Sequence, residues 1–162
     1  MARVKSHPMS EFHASWRGTL APLVDEPIEA VALFNPPGAV AAQAASIAGR
    51  TAGGLVGGFL ARTAANVVTA PVEAPPTIAA AVTASAVHLF AVETSADALE
   101  LRVGDHWRRI DRAGLRVTVS RKVMSERFTF ASADGRNLEL DGMFTPRSKE
   151  RPYQAMLDLL VD

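Results

Sequence analysis

Four histidines, a cluster of arginines and a ridge of glycines are the residues of this sequence whose types invite chemistry. His7, His13, His88 and His106 are scattered, and none shares with a second ligand the i, i+4 or strand-alternate spacing that aims two side chains at one metal. Asp105 adjoins His106, but neighbours in a strand point to opposite faces, so the two do not make a dyad. The chain contains no cysteine, which excludes disulfides, thiolate nucleophiles, iron–sulfur clusters and cysteine-based zinc sites. It has no Gly-x-Ser-x-Gly elbow, no His-Glu-x-x-His and no Walker loop. Gly53-Gly-Leu-Val-Gly-Gly58 lacks the dinucleotide-binding register, and no predicted strand runs into it. The expectation is no catalytic residue, no metal and no cofactor.

Charge is distributed unevenly. Residues 102–151 carry 12 basic and 7 acidic groups, whereas residues 19–101 carry 2 and 7. Arg108, Arg109, Arg116, Arg121 and Lys122, with Arg112 and Arg127 beside them, are candidates for a basic sheet face that meets an anionic lipid surface or an acidic protein. A solvated face is the plainer reading, because arginine outnumbers lysine 14 to 3 in an alanine-rich chain, as GC-rich coding produces. Over the whole chain 17 bases balance 17 acids, so no nucleic-acid partner is expected.

Residues 39–70 are rich in alanine and glycine and hold two charges, Arg50 and Arg62. The uncharged run from Thr51 to Ala61 is about half the ~20 residues of a spanning helix, so no transmembrane span is expected. Read as a helix, the stretch sets Gly49, Gly53 and Gly57 on one i, i+4 ridge. Glycine costs a helix about 1 kcal/mol relative to alanine, so this ridge demands close backbone packing, either against the protein's own sheet or against a second copy. Otherwise the helix breaks near Gly53-Gly54.

The elements that must position these residues follow from periodicity. Residues 1–9 are expected to be disordered, and they hold no apolar run of signal-peptide length, so a cytoplasmic location is expected, with peripheral membrane attachment as a variant. Phe12, Trp16, Leu20 and Leu23 form one stripe of a helix from Ser10, its N-cap, to near Ala21, where Pro22 ends it. A strand over Ile28–Phe34 is stopped by Asn35-Pro-Pro-Gly38, and Pro71, Pro75 and Pro76 mark residues 71–76 as a linker. Thr77 to Val82 and Ala86 to Val92 flank a Thr83-Ala-Ser85 turn as a hairpin. Strands at 107–110, 115–119, 127–131 and 137–140 follow, with turns at Asp111–Gly114 and Ala133–Arg136. Tyr153, Met156, Leu157, Leu160 and Val161 fall on one helical face over 148–162. The whole is one α+β domain of 162 residues: an antiparallel meander or partly open barrel capped by a C-terminal helix.

The segment Ala79-Ala-Ala-Val-Thr-Ala-Ser-Ala-Val-His-Leu-Phe-Ala-Val-Glu93 resembles the second hairpin of bacterial PH-like (pleckstrin-homology-like) domains. Trp107-Arg-Arg-Ile110, the following strand, the Asp134-Gly135 turn and the closing helix come in that family's order, so the resemblance spans roughly residues 77–161. It implies a non-catalytic interaction module. Two departures stand out: residues 39–66 intervene after the first strand, and the first-to-second-strand stretch, where lipid-binding PH domains place their basic cluster, supplies only Arg50 and Arg62. The insertion leaves a cystatin-like cone and a helix-grip fold as rivals. Three functions are carried forward. They are a self-assembling or protein-binding scaffold, a peripheral module for anionic lipid or an acidic partner, and a small enzyme or small-molecule binder with a helix-sheet pocket.

Overall fold

The computed structural model describes residues 9–37, 74–75, 77–94, 101–122, 125–143 and 153–161. The glycine ridge at Gly49, Gly53 and Gly57, most of the 71–76 linker and the start of the expected final helix lie outside the described residues. Helix α1 (Met9–Leu20) begins one residue before Ser10 and runs into a 3-10 turn at Ala21–Leu23, with Pro22 inside it. That turn takes Leu23 off the expected stripe: Leu20 is buried, Trp16 is half-buried and Leu23 is 50% exposed.

Seven strands follow among the described residues, antiparallel throughout and divided between two sheets. β1 (Ala30–Phe34), β2 (Ile78–Val82), β3 (Ala86–Thr94) and β4 (Leu101–Asp111) make the first, in that order. β5 (Arg116–Arg121), β6 (Ser125–Ala131) and β7 (Asn137–Met143) make the second. Asn35 does not simply stop β1. It bridges to Asp141 on β7 through two backbone hydrogen bonds of 2.9 and 2.8 Å, and there the two sheets join. β4 begins six residues before the expected strand and keeps its register against β3 only through two irregularities, near Trp107 and near Gly104.

The core lies between the sheets. Alternate residues of β1 to β3 (Phe34, Ile78, Val87, Leu89) meet Phe128, Phe130, Leu138 and Leu140 of the second sheet. Helix α2 (Gln154–Leu160) closes one corner: Tyr153 stacks on Phe34 with ring centroids 6.3 Å apart and stands edge-on to Phe128 at 4.9 Å. It is shorter than the expected final helix, and Val161 falls beyond its end, 37% exposed. A second apolar cluster covers the outer face of the first sheet, where Leu20 and Trp16 of α1 pack with Val31, Ala79, Ala81, Phe90 and Val92. No helix among the described residues is long and apolar enough to cross a membrane.

Candidate functional site

Three turns gather at one end of the sheets. In the β2–β3 turn Thr83 is buried, its hydroxyl exchanging 3.2 Å hydrogen bonds with the N–H and carbonyl of Ala86. The β4–β5 turn is held to it: Arg112 donates its backbone N–H to the Ser85 carbonyl at 2.8 Å and its guanidinium to the Thr83 carbonyl at 2.8 Å and to Glu29 at 2.7 Å. Gly114 in that turn has φ 72° and lies so close to the β6–β7 turn that a Cβ on it would stand 2.9 Å from the Ala133 Cβ. Gly135, φ 79°, makes the β6–β7 turn, and the Ser132 hydroxyl ties it to Asp134 and to the Arg136 carbonyl. Both glycine turns stand where the sequence placed them.

Between these turns opens a cleft of about 880 Å³. Ile110, Phe130 and Leu138, all buried, form its apolar floor, and Arg108, Arg109, Asp111, Asp134 and Arg136 its exposed rim. The rim charges are not equivalent. Arg109 pairs with Asp111 and reaches Ser85 Oγ at 3.4 Å, and Arg136 lies 3.6 Å from Asp134. The guanidinium of Arg108 instead stacks over the Trp107 ring, 4.9 Å from its centroid, and no carboxylate pairs with it among the described residues. A hydrogen bond from the Ser132 hydroxyl, with a second from the Arg136 backbone N–H, holds the Asp134 carboxyl below its ordinary range, and those from Ser85 do the same for Glu26, which braces the β2–β3 turn from outside.

The predicted basic face divides. Arg108 stands opposite Leu89 and Arg109 opposite His88, so the two neighbours point to opposite faces of the first sheet. Arg116 and Arg121 lie on β5 with Lys122 just beyond it, in the other sheet and outside the cleft lining. Arg112 and Arg127 are engaged in ion pairs, Arg127 through two bonds to the buried Asp141 that raise its pKa. Phe130, Ser132, Arg136 and Leu138 are cleft residues that no motif announced. Nor did spacing announce His88 and His106, whose rings come to 5.6 Å across β3 and β4. Burial pushes the His88 imidazole down, with His106 and Arg109 adding to the effect. Among the described residues no three His, Asp or Glu side chains are placed to hold one metal ion.

No known protein family matches the chain, and no curated protein or solved structure matches it either.

Proposed function

We propose that the chain is a non-catalytic interaction module of PH-like architecture, and that the cleft receives a segment of a protein partner bearing an apolar side chain flanked by acids. The observation that carries this reading is Arg108, exposed at the cleft rim with its guanidinium over the Trp107 ring and no carboxylate paired with it among the described residues. Stacking holds a guanidinium flat and leaves its N–H fork open to a carboxylate, and arginine and tryptophan are the residues on which protein interfaces concentrate their energy. The apolar floor supplies what a bare anion would not use, and that favours a peptide over an inorganic or headgroup phosphate. Strand order supports the PH-like likeness: a four-stranded meander, a three-stranded one, then a helix in the corner between them.

Selection from a displayed random-peptide library tests the proposal. The expected consensus is an apolar residue with acidic neighbours, lost from the Arg108→Glu protein and weakened by salt. Enrichment of basic peptides, or an unchanged consensus with Arg108→Glu, would contradict it. Co-sedimentation with anionic vesicles in preference to neutral ones, abolished by the same substitution, would move the reading to a lipid surface.

A further inference from the structure

The second site lies away from the cleft, on the outer edge of β5. Away from the Asn35–Asp141 seam the sheets end in β4 and β5, and these two edges differ. β4 meets β3 with two register irregularities, the device by which sheets blunt an edge. β5 runs from Arg116 to Arg121 against β6 with no register shift, and every residue of it except Val117 is exposed. No strand pairs with its other side among the described residues.

Lys122 donates its N–H to the Ser125 carbonyl at 2.8 Å, so Lys122 and Ser125 are a bonded pair. Antiparallel ladders alternate bonded and non-bonded pairs, which makes Ser120 with Arg127, and Thr118 with Thr129, the next bonded pairs along the register. Val117 and Val119 therefore turn their N–H and C=O groups outward, away from β6. An added antiparallel strand would find about four backbone hydrogen bonds there. Side-chain parity supplies the rest: Arg116, Thr118, Ser120 and Lys122 lie on one face, and Val119, 36% exposed, on the other.

We infer that β5 accepts an extended acidic segment of a partner as an eighth strand. Charge chooses this occupant over a second copy of the chain. Residues 116–122 hold three cations and no acid, so pairing two β5 strands would bring six like charges onto adjacent strands. A segment alternating acids with β-branched residues matches both faces at once: acids beside Arg116 and Lys122, apolar side chains beside Val119.

The test uses the full chain and a blocked Glu-Val-Glu-Val-Glu-Val-Glu peptide, with its lysine counterpart as control. Titration is followed by amide hydrogen exchange and NMR. The glutamate peptide is expected to bind, to slow exchange at Val117 and Val119 by tenfold or more, and to leave the cleft residues Ile110 and Leu138 unshifted. Val119→Pro removes one outward donor while leaving the bonds to β6, because proline is tolerated where an edge N–H faces solvent. It should weaken binding at least tenfold. Should that variant misfold, methylating the peptide's valine nitrogens removes the donors from the other partner and should cost as much. Absence of binding, equal binding of both peptides, or binding unaffected by Val119→Pro and by peptide methylation would overturn the inference and leave Arg116, Arg121 and Lys122 as charges that merely keep the edge apart from its neighbours.

Discussion

The two sheets solve the same burial problem with opposite means. In the first, β2 is Ile78-Ala-Ala-Ala-Val82 and has no exposed residue, because its inner face meets the second sheet and its outer face belongs to the cluster formed with α1. In the second, Phe128, Phe130, Leu138 and Leu140 face inward while Thr118, Ser120 and Glu139 stay wet. With both faces dry, β2 carries alanine at its three central positions, whereas the one-sided strands of the second sheet fill a single core with aromatic bulk. The first sheet should therefore be sensitive to added volume and the second to removed volume.

Removal from the second sheet gives the largest expected effect. Phe128→Ala deletes a fully buried ring that touches Phe34, Phe130 and Tyr153, at a cost of ~3–5 kcal/mol. Thermal unfolding should show Tm falling on the order of 10 °C. A fall no larger than that of a surface substitution would break the comparison.

Added volume should cost less and act where space is absent. Ala81→Leu, on the covered outer face of β2, is expected to cost ~1–3 kcal/mol, while Thr118→Leu on the wet face of β5 should change stability by less than about 0.5 kcal/mol. Equal tolerance at the two positions in urea titrations would show that α1 does not hold the outer face. Gly142→Ala sharpens the point within the second sheet, since its Cβ would stand 2.5 Å from Tyr153 Cε1. It should cost about as much as Ala81→Leu and loosen α2 in hydrogen exchange.

A comparable effect concerns the ion pair at the seam between the sheets. Asp141 is buried, accepts two hydrogen bonds from Arg127 at 2.8 and 3.2 Å and is the residue to which Asn35 bridges, so Asp141→Ala should cost about 2 kcal/mol in chemical unfolding. Arg127→Met in the same background should recover part of that loss, because it removes a guanidinium left with only the looser Glu139 contact at 3.9 Å. No recovery would mean that the pair serves only packing.

The smallest effect is in pH. Burial holds His88 below the ordinary imidazole value of 6.5, with His106 and Arg109 adding to it. The unfolded chain then takes up its proton at higher pH than the folded one, so the stability due to neutral His88 is complete above about 6.5 and is lost as pH falls through that value. His88→Gln should flatten this limb of the Tm profile between pH 7 and 5, whereas an unchanged limb would assign it to other groups.

Legibility followed the same division. One-sided strands alternate, so β5 to β7 and their glycine turns could be read directly, and both turn glycines adopt the positive φ that their positions imply. The first half of β4 is not legible, because Leu101-Arg-Val-Gly-Asp-His106 carries a glycine and two charges and pairs only by shifting register. The cleft was not legible at all. Its floor joins Ile110 to Phe130 and Leu138 across the two sheets, a juxtaposition set by how the sheets pack and by no local spacing. For the same reason, seven cations close in sequence ended on different faces and different sheets.

The most direct test of the cleft as a binding site uses Trp107 as its own reporter. In a Trp16→Phe background Trp107 is the remaining tryptophan, with the Arg108 guanidinium over its ring. Titrating a blocked Asp-Leu-Phe-Glu peptide should change its emission saturably, with an affinity that falls as salt rises and at least tenfold on Arg108→Ala. Emission that does not respond, or that responds equally in the Arg108→Ala protein, would contradict the account.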